Sequence, residues 1–264
     1  MTTMTEANIR LGAILAEAEN QQSSLGVAIL ESNGLVPETI EIGMAAQAIA
    51  AAAIGREVDG WKISFNSGRA IAAPLLDVYD TSIDVSFEVP KPGAVAVEIE
   101  ICFVLANDIP PPATGAEYSR EDVLSHIASA HLGAELVSYR LAEENKVPFP
   151  LFLADRLGNH SFVLGPELDS AVLERVANRD ATLPALIIEG DDEVLFAAAA
   201  KHPQADPIAP LLAYANAPLD HLGGLKRGQV VTTGSLCGVI RLSGQTKIKA
   251  SWDGIAEMTL VLPA

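Results

Sequence analysis

Ala96-Val97-Glu98-Ile99-Glu100-Ile101-Cys102-Phe103 is a run in which every second residue is apolar. A period of two marks a β-strand, so Val97, Ile99, Ile101 and Phe103 share one face while Glu98 and Glu100 project together from the other. Residues two apart on one strand lie about 6 to 7 Å apart at the backbone, close enough for both carboxylates to reach one cation. Without a cation the pair is unfavourable, because like charges at that spacing repel. A solvated face of an edge strand is the competing reading of this run taken alone. Two features point instead to the wall of a cavity. The flanking residues on the glutamate side, Ala94, Ala96 and Cys102, are small rather than polar. Glu135 also stands within Leu132-Gly133-Ala134-Glu135-Leu136-Val137, a run otherwise apolar or small, where an unpaired carboxylate is costly to bury. A shared ion would satisfy all three acids. Three carboxylates with coordination positions left open suit Mg²⁺ or Mn²⁺ and not zinc, which prefers nitrogen and sulfur.

Outward from this strand, the chain changes period several times. Residues 6–22 carry Ile9, Leu11, Ile14, Leu15 and Ala18 at helical spacing, and residues 41–54 form an alanine-rich helix ending near Gly55. Residues 58–64 predict a short strand followed by a polar, glycine-containing loop. The alternation of Ile83, Val85, Phe87 and Val89 predicts another strand, closed by a turn over residues 90–93. After the breaker Pro110-Pro111-Pro112, Ser119 and Asp122 form a capping-box pattern that opens a helix expected to run to about His131. Strands are expected at 134–139, 161–164, 184–189, 194–198 and 229–233, with a helix at 207–216. The pair 248–252 and 255–262 flanks the hairpin signal Asp253-Gly254. Helices first and then many strands predict an α+β fold, with a mixed, rolled, pseudo-barrel sheet and flanking helices. The expected division is a helical N-terminal segment, 1–57, and a catalytic domain, 58–264.

Composition limits the partners. With 264 residues and 49% hydrophobic content the chain can bury a sizeable core. A formal net charge of −17 argues against nucleic acid and anionic membrane surfaces, which need clustered Lys and Arg. The most apolar run, residues 45–54, is about half the length of a membrane span. No basic-then-apolar leader opens the sequence, and Cys102 and Cys237 have no metal-type spacing, so a reducing, cytoplasmic setting is expected. An acidic protein that binds an anionic substrate needs local positive charge, and a bound cation would supply it. No GxGxxG or GxxxxGK[ST] pattern offers a nucleotide cradle.

Several further stretches fall in the same order as in one known family. They are Gly60-Trp61-Lys62-Ile63-Ser64, Ala134-Glu135-Leu136-Val137-Ser138-Tyr139-Arg140, Ala154-Asp155 leading to Phe162-Val163-Leu164-Gly165, and Lys226-Arg227-Gly228-Gln229-Val230-Val231-Thr232-Thr233-Gly234-Ser235-Leu236. Together with the Glu98–Glu100 strand they make the chain resemble the 2-keto-4-pentenoate hydratase and 4-oxalocrotonate decarboxylase branch of the fumarylacetoacetase superfamily, from about Gly60 onward. The resemblance implies that superfamily's C-terminal-domain fold, a homo-oligomer, and a small 2-oxo acid substrate. It also implies that Glu98, Glu100 and Glu135 bind Mg²⁺ or Mn²⁺ and that Lys62 lies in the active site. An acid in the loop after the lysine is expected, at Asp77 or Asp80; Asp155 is either a second active-site acid or a cap, and Thr233 and Ser235 either line the pocket or merely lead into a turn. Two positions depart from the pattern: Ala96, where a basic residue is common, and Arg156, where asparagine is usual.

The chemistry so implied is that of a hydro-lyase adding water to a 2-hydroxy-2,4-dienoate, with decarboxylation of a 2-oxo acid, or a ligand-binding homologue without catalysis, as alternatives. Superfamily hydrolases use a histidine and glutamate pair ahead of the metal strand. Here no histidine precedes His126, which ranks hydrolysis below lyase chemistry. His131 and His202 are expected to be structural.

Overall fold

The computed structural model describes residues 5–83, 86–219 and 222–263. Val85, one of the four residues in the predicted alternation, lies outside them. Helix α1 (Glu6–Gln21) starts at Thr5, whose side chain accepts from the Asn8 N–H, and ends at Gln22 in a left-handed conformation. Helix α2 (Val27–Ser32) follows, then α3 (Ile40–Ile54), capped by Thr39 and ended by left-handed Gly55. Strands β1 (Gly60–Asn66) and β2 (Arg69–Leu75) form a hairpin, followed by β3 (Val78–Asp80), β4 (Ser86–Glu88) and the glutamate strand β5 (Ala96–Leu105).

Helix α4 (Arg120–Ser125) has the expected capping box, with Ser119 and Asp122 bonded reciprocally. It stops at His126, well short of His131. Residues 127–131 belong instead to strand β6 (Ile127–Val137), which pairs along nearly the whole of β5, so long-range pairing overrides the local helical pattern. Next come α5 (Phe149–Ala154), a short 3-10 turn (Arg156–Gly158) and β7 (Asn159–Glu167). Helix α6 (Ser170–Ala177), strands β8 (Ala185–Gly190) and β9 (Glu193–Ala199), and helix α7 (Ala209–Asn216) lead to β10 (Val230–Ser235). Strand β11 (Ile240–Arg241) and the hairpin β12 (Lys247–Trp252) and β13 (Ala256–Val261) complete the chain.

The strands form two mixed sheets. The larger has the order β2-β1-β10-β5-β6-β7-β3, with β11 also on β5, and it curls into a half-barrel; the smaller has the order β4-β13-β12-β8-β9. Pairs β1–β10, β3–β7 and β4–β13 are parallel and the rest antiparallel, which is the mixed α+β arrangement the sequence predicts. The main core contains Trp61, Val97, Ile99, Ile101 and Phe103 with Ile188, Ile248, Trp252 and Leu260, so the apolar face of β5 packs toward the smaller sheet. The opposite face of β5 is left for the glutamates.

Strand β2 corrects the expectation of a loop after residue 64. Its run Ala70-Ile71-Ala72-Ala73-Pro74-Leu75 is buried throughout and lacks alternation, and Pro74 is tolerated because β2 is an edge of the sheet. The helical segment packs Leu11, Leu15, Leu30 and Ala46 against Leu141, Leu151 and Ala154, so the described N-terminal helices share a core with α5 and its approach. Gly12 permits that packing, since a Cβ there would lie 2.6 Å from Ile49 of α3. Strand β9 is the other notable edge: after Glu193 it carries no charge, and Val194 is 56% exposed. Among the described residues no helix is long and apolar enough to cross a membrane.

Candidate metal centre

Adjacent strands β1, β10, β5 and β6 bring five polar side chains to one face. Lys62 is level with Thr232, Thr232 with Cys102, and Glu98 with Glu135. Oxygens of Glu98, Glu100 and Glu135 lie within 4.8 Å of one another. Glu100 and Glu135 are buried, whereas Glu98 is half-buried at the mouth. Lys62 Nζ stands 3.2 Å from Glu98 Oε2 and 2.7 Å from Glu135 Oε2. Asn159 Nδ2 donates to Glu135 Oε1 at 3.0 Å, and the Thr232 hydroxyl donates to Glu100.

The charges do not balance. Burial, reinforced by the Glu135 and Glu98 charges, pushes the Glu100 carboxyl well above the usual range, and Lys62 only partly offsets this. Burial also raises Glu135, against the pull of Lys62. Lys62, although desolvated, is held protonated by Glu135, Glu98 and Glu100. One lysine therefore faces three acids, and its 2.7 Å contact with Glu135 Oε2 neutralises only one of them. An all-oxygen donor set with surplus negative charge fits a hard divalent cation such as Mg²⁺ or Mn²⁺.

A cavity of about 310 Å³ opens beside Lys62, Glu98 and Glu100. Its far walls are Val137, Phe152, Leu157, Pro203 and Val239, interrupted by Ser64, Tyr139 and Asn145. Ser235 also lines it, donating to the Gly238 carbonyl at 2.9 Å. An irregularity in β10 between Thr232 and Ser235 brings the chain to this wall, and Gly234 supplies the left-side φ of 136° that the bend uses. Tyr139 sits under the Arg241 guanidinium, 5.5 Å from the ring centroid, and its hydroxyl makes no hydrogen bond to another described residue. Among the described residues no histidine lines this cavity.

Three expected site residues sit elsewhere. Asp80 is exposed, bonds to Ser82 N and Oγ, and borders a separate cleft with Asp59, Ser129 and His131. Asp77, the other candidate in that loop, pairs with Arg56 and Lys91. Asp155 is buried and committed to Arg140, accepting from both its side chain and its main-chain N–H. Thr233 points to the opposite face of β10, where it donates to the Pro207 carbonyl at 2.8 Å and meets His202. Its neighbour Thr232 is the hydroxyl that faces the glutamates, and strand parity would have revealed it once β10 was paired with β5. Asn159 was also missed, because nothing local marks a residue that reaches Glu135 across β7 and β6. His131 and His202 are both buried and hydrogen-bonded, to Gly165 O and to the Gln204 N–H.

No family model and no curated protein sequence matches the chain. Solved structures do. The 4-oxalocrotonate decarboxylase from Pseudomonas putida G7, seen with calcium and acetate and again with magnesium and adipate, superposes with a TM-score of 0.73 at 18% identity, over 99% of both chains. The 2-hydroxyhepta-2,4-diene-1,7-dioate isomerase from Mycobacterium marinum gives a TM-score of 0.50 at 14% identity, over 78% of this chain and 74% of its own. The chain thus has the fold of the fumarylacetoacetase superfamily, as the sequence resemblance implies. The full-length match includes the N-terminal helices.

Proposed function

We propose that the chain is a metal-dependent lyase acting on a small 2-oxo acid, with hydration of a 2-hydroxy-2,4-dienoate as its reaction. The observation that carries this reading is the polarity of the cavity, which has Lys62, Glu98 and Glu100 at one end, with Glu135 buried beside them, and uncharged walls at the other. A substrate with a carboxylate and a 2-oxo group at one end and a short unsaturated tail at the other has the same polarity. Glu98, Glu100 and Glu135 would hold Mg²⁺ or Mn²⁺, which when bound supplies a Lewis acid for the 2-oxo group and offsets the substrate's charge.

Among the described residues Lys62 is the one cationic side chain lining the cavity, and it is held protonated, so it donates to the substrate oxygen as negative charge develops there. Phe152, Leu157 and Val239 shelter the tail from bulk water. We assign the water that adds at C4 to the Tyr139 hydroxyl, which burial keeps protonated and which is free of other partners among the described residues. Hydroxyl at C4 and a proton at C5 give the 2-enol of the product, which becomes the 4-hydroxy-2-oxo acid as the 2-hydroxyl gives up its proton and C3 gains one.

Decarboxylation is the second reading. It is favoured by the full-length fold similarity to a 4-oxalocrotonate decarboxylase, and it needs only an electron sink and one returned proton. Hydrolysis of an acylpyruvate ranks lower, because no described histidine lines the cavity to activate water. The deciding experiment is a product assay of purified protein with Mg²⁺ or Mn²⁺ on 2-hydroxypenta-2,4-dienoate, 4-oxalocrotonate, oxaloacetate and an acylpyruvate. Loss of the dienol with appearance of the hydroxy acid is expected. Release of CO₂ alone selects the second reading, turnover of acylpyruvate alone overturns the lyase assignment, and no turnover of any substrate marks a ligand-binding homologue.

A further inference from the structure

Glu19 projects from the last turns of α1 into a buried group of cations. Its Oε1 lies 2.6 Å from Lys91 Nζ, and its Oε2 lies 3.2 Å from Arg140 Nη1 and 3.0 Å from Arg156 Nη2. Burial would raise this carboxyl, but Arg156, Arg140 and Lys91 hold it far below the usual carboxylate range. Both arginines converge on a single acceptor, the main-chain oxygen of Asn159, at 2.9 Å from Arg140 and 3.5 Å from Arg156. The side chain of the same Asn159 donates to Glu135 Oε1 at 3.0 Å. The N-terminal helix therefore reaches a carboxylate of the metal centre through three contacts in series.

The chain's departure at position 156 acquires a reason here, since Arg156 spends its Nη2 on Glu19 while its Nε is buried without a partner. Without Glu19, Lys91, Arg140 and Arg156 would be left with Asp155 and with Asp77, which Arg56 already shares. Three largely buried cations against two anions cannot keep the same geometry, because an uncompensated buried charge is strongly unfavourable.

We propose that Glu19 is a positioning residue for the metal centre: it fixes the Arg140–Arg156 pair on Asn159, and Asn159 holds Glu135 in its ligand orientation. This rests on the reading of Glu98, Glu100 and Glu135 as a cation site. Residues that orient a metal ligand typically change affinity 10- to 100-fold when removed, whereas a residue that only docks a helix changes stability alone.

The test is Mn²⁺ binding by the full chain, followed through the EPR signal of free Mn²⁺, for wild type, Glu19→Gln, Asn159→Ala and the double variant, with folding checked by circular dichroism. Glu19→Gln is expected to weaken Mn²⁺ binding about 10-fold, and Asn159→Ala by at least as much. The double variant is expected to bind no more weakly than Asn159→Ala, because both act through one path. A folded Glu19→Gln with wild-type affinity overturns the proposal, as do losses that multiply in the double variant. Should Glu19→Gln fail to fold, Arg156→Gln replaces it: a smaller loss in the same direction is expected, and unchanged affinity overturns the proposal. Wild type that binds no Mn²⁺ overturns the cation reading itself, and this inference with it.

Discussion

Glu98 and Glu135 stand directly opposite each other on neighbouring antiparallel strands, two acids sharing one position of the ladder. Like charges so placed destabilise a sheet unless a cation sits between them. Mg²⁺ or Mn²⁺ at about 100 times its dissociation constant is therefore expected to stabilise the fold by about 3 kcal/mol, raising Tm by about 5 °C or more. A thermal melt with and without the ion reads this directly. Glu135→Gln should lose most of the rise.

Lys62 is the counter-charge of the same group, at 2.7 Å from Glu135. Replacing it by methionine leaves three crowded acids, so the metal-free protein should lose roughly 3 kcal/mol, in the range for breaking a buried pair. Added Mn²⁺ should recover much of that loss in the melt. Turnover should nonetheless fall at least about 100-fold, the usual contribution of a positioned proton-handling group.

Asp80→Ala separates the structural placement from the sequence expectation. Since Asp80 is exposed and holds only the Ser82 turn, the variant should keep Mn²⁺ affinity and turnover within about twofold, with Tm nearly unchanged. A large fall in kcat would return Asp80 to the site.

Burial pushes His202 down to about 4. Between pH 6.5 and 4 the unfolded chain binds a proton there that the folded chain does not, so this residue's contribution to stability falls as the solution is acidified. Between pH 7 and 5 the loss is roughly 2 kcal/mol. His202→Gln carries no such proton; its stability relative to wild type, from denaturant melts, should improve by about that amount over the same interval.

A Cβ on Gly60 would lie 2.1 Å from the Val230 carbonyl, where parallel strands β1 and β10 meet two residues before Lys62. Gly60→Ala should cost about 1 to 3 kcal/mol as the strands part. Because the obstacle is backbone, no side-chain rotation relieves it, and turnover should suffer along with Tm.

The alternation around Glu98 was readable because β5 separates two environments, the main core and the site face, and separation is what a period of two records. Glu135 was readable for a related reason, as one acid among buried apolar neighbours. β2 was not, since its residues are buried on both sides and alternation vanishes. The true extent of β6 was hidden by a capping box that correctly starts a helix but says nothing about where pairing with β5 will end it. That Thr232 faces the glutamates and the expected Thr233 does not depends on the parity of β10 against β5, a relationship between strands more than a hundred residues apart. Asp155 drew attention as an acid beside a familiar stretch, yet its partner Arg140 consumes it, and only the folded chain shows that pairing.

Strand β9 ends the smaller sheet with its outer hydrogen-bonding groups unpaired by any described strand, and with almost nothing but aliphatic and alanine side chains on display. Mutual repulsion between molecules of charge −17 is then what keeps such borders from meeting sideways. That guard is ionic and works only over a Debye length, about 10 Å at 0.1 M and nearer 3 Å at 1 M. Concentrated brine, harmless to the interior, would thus expose this protein to lateral association along one seam.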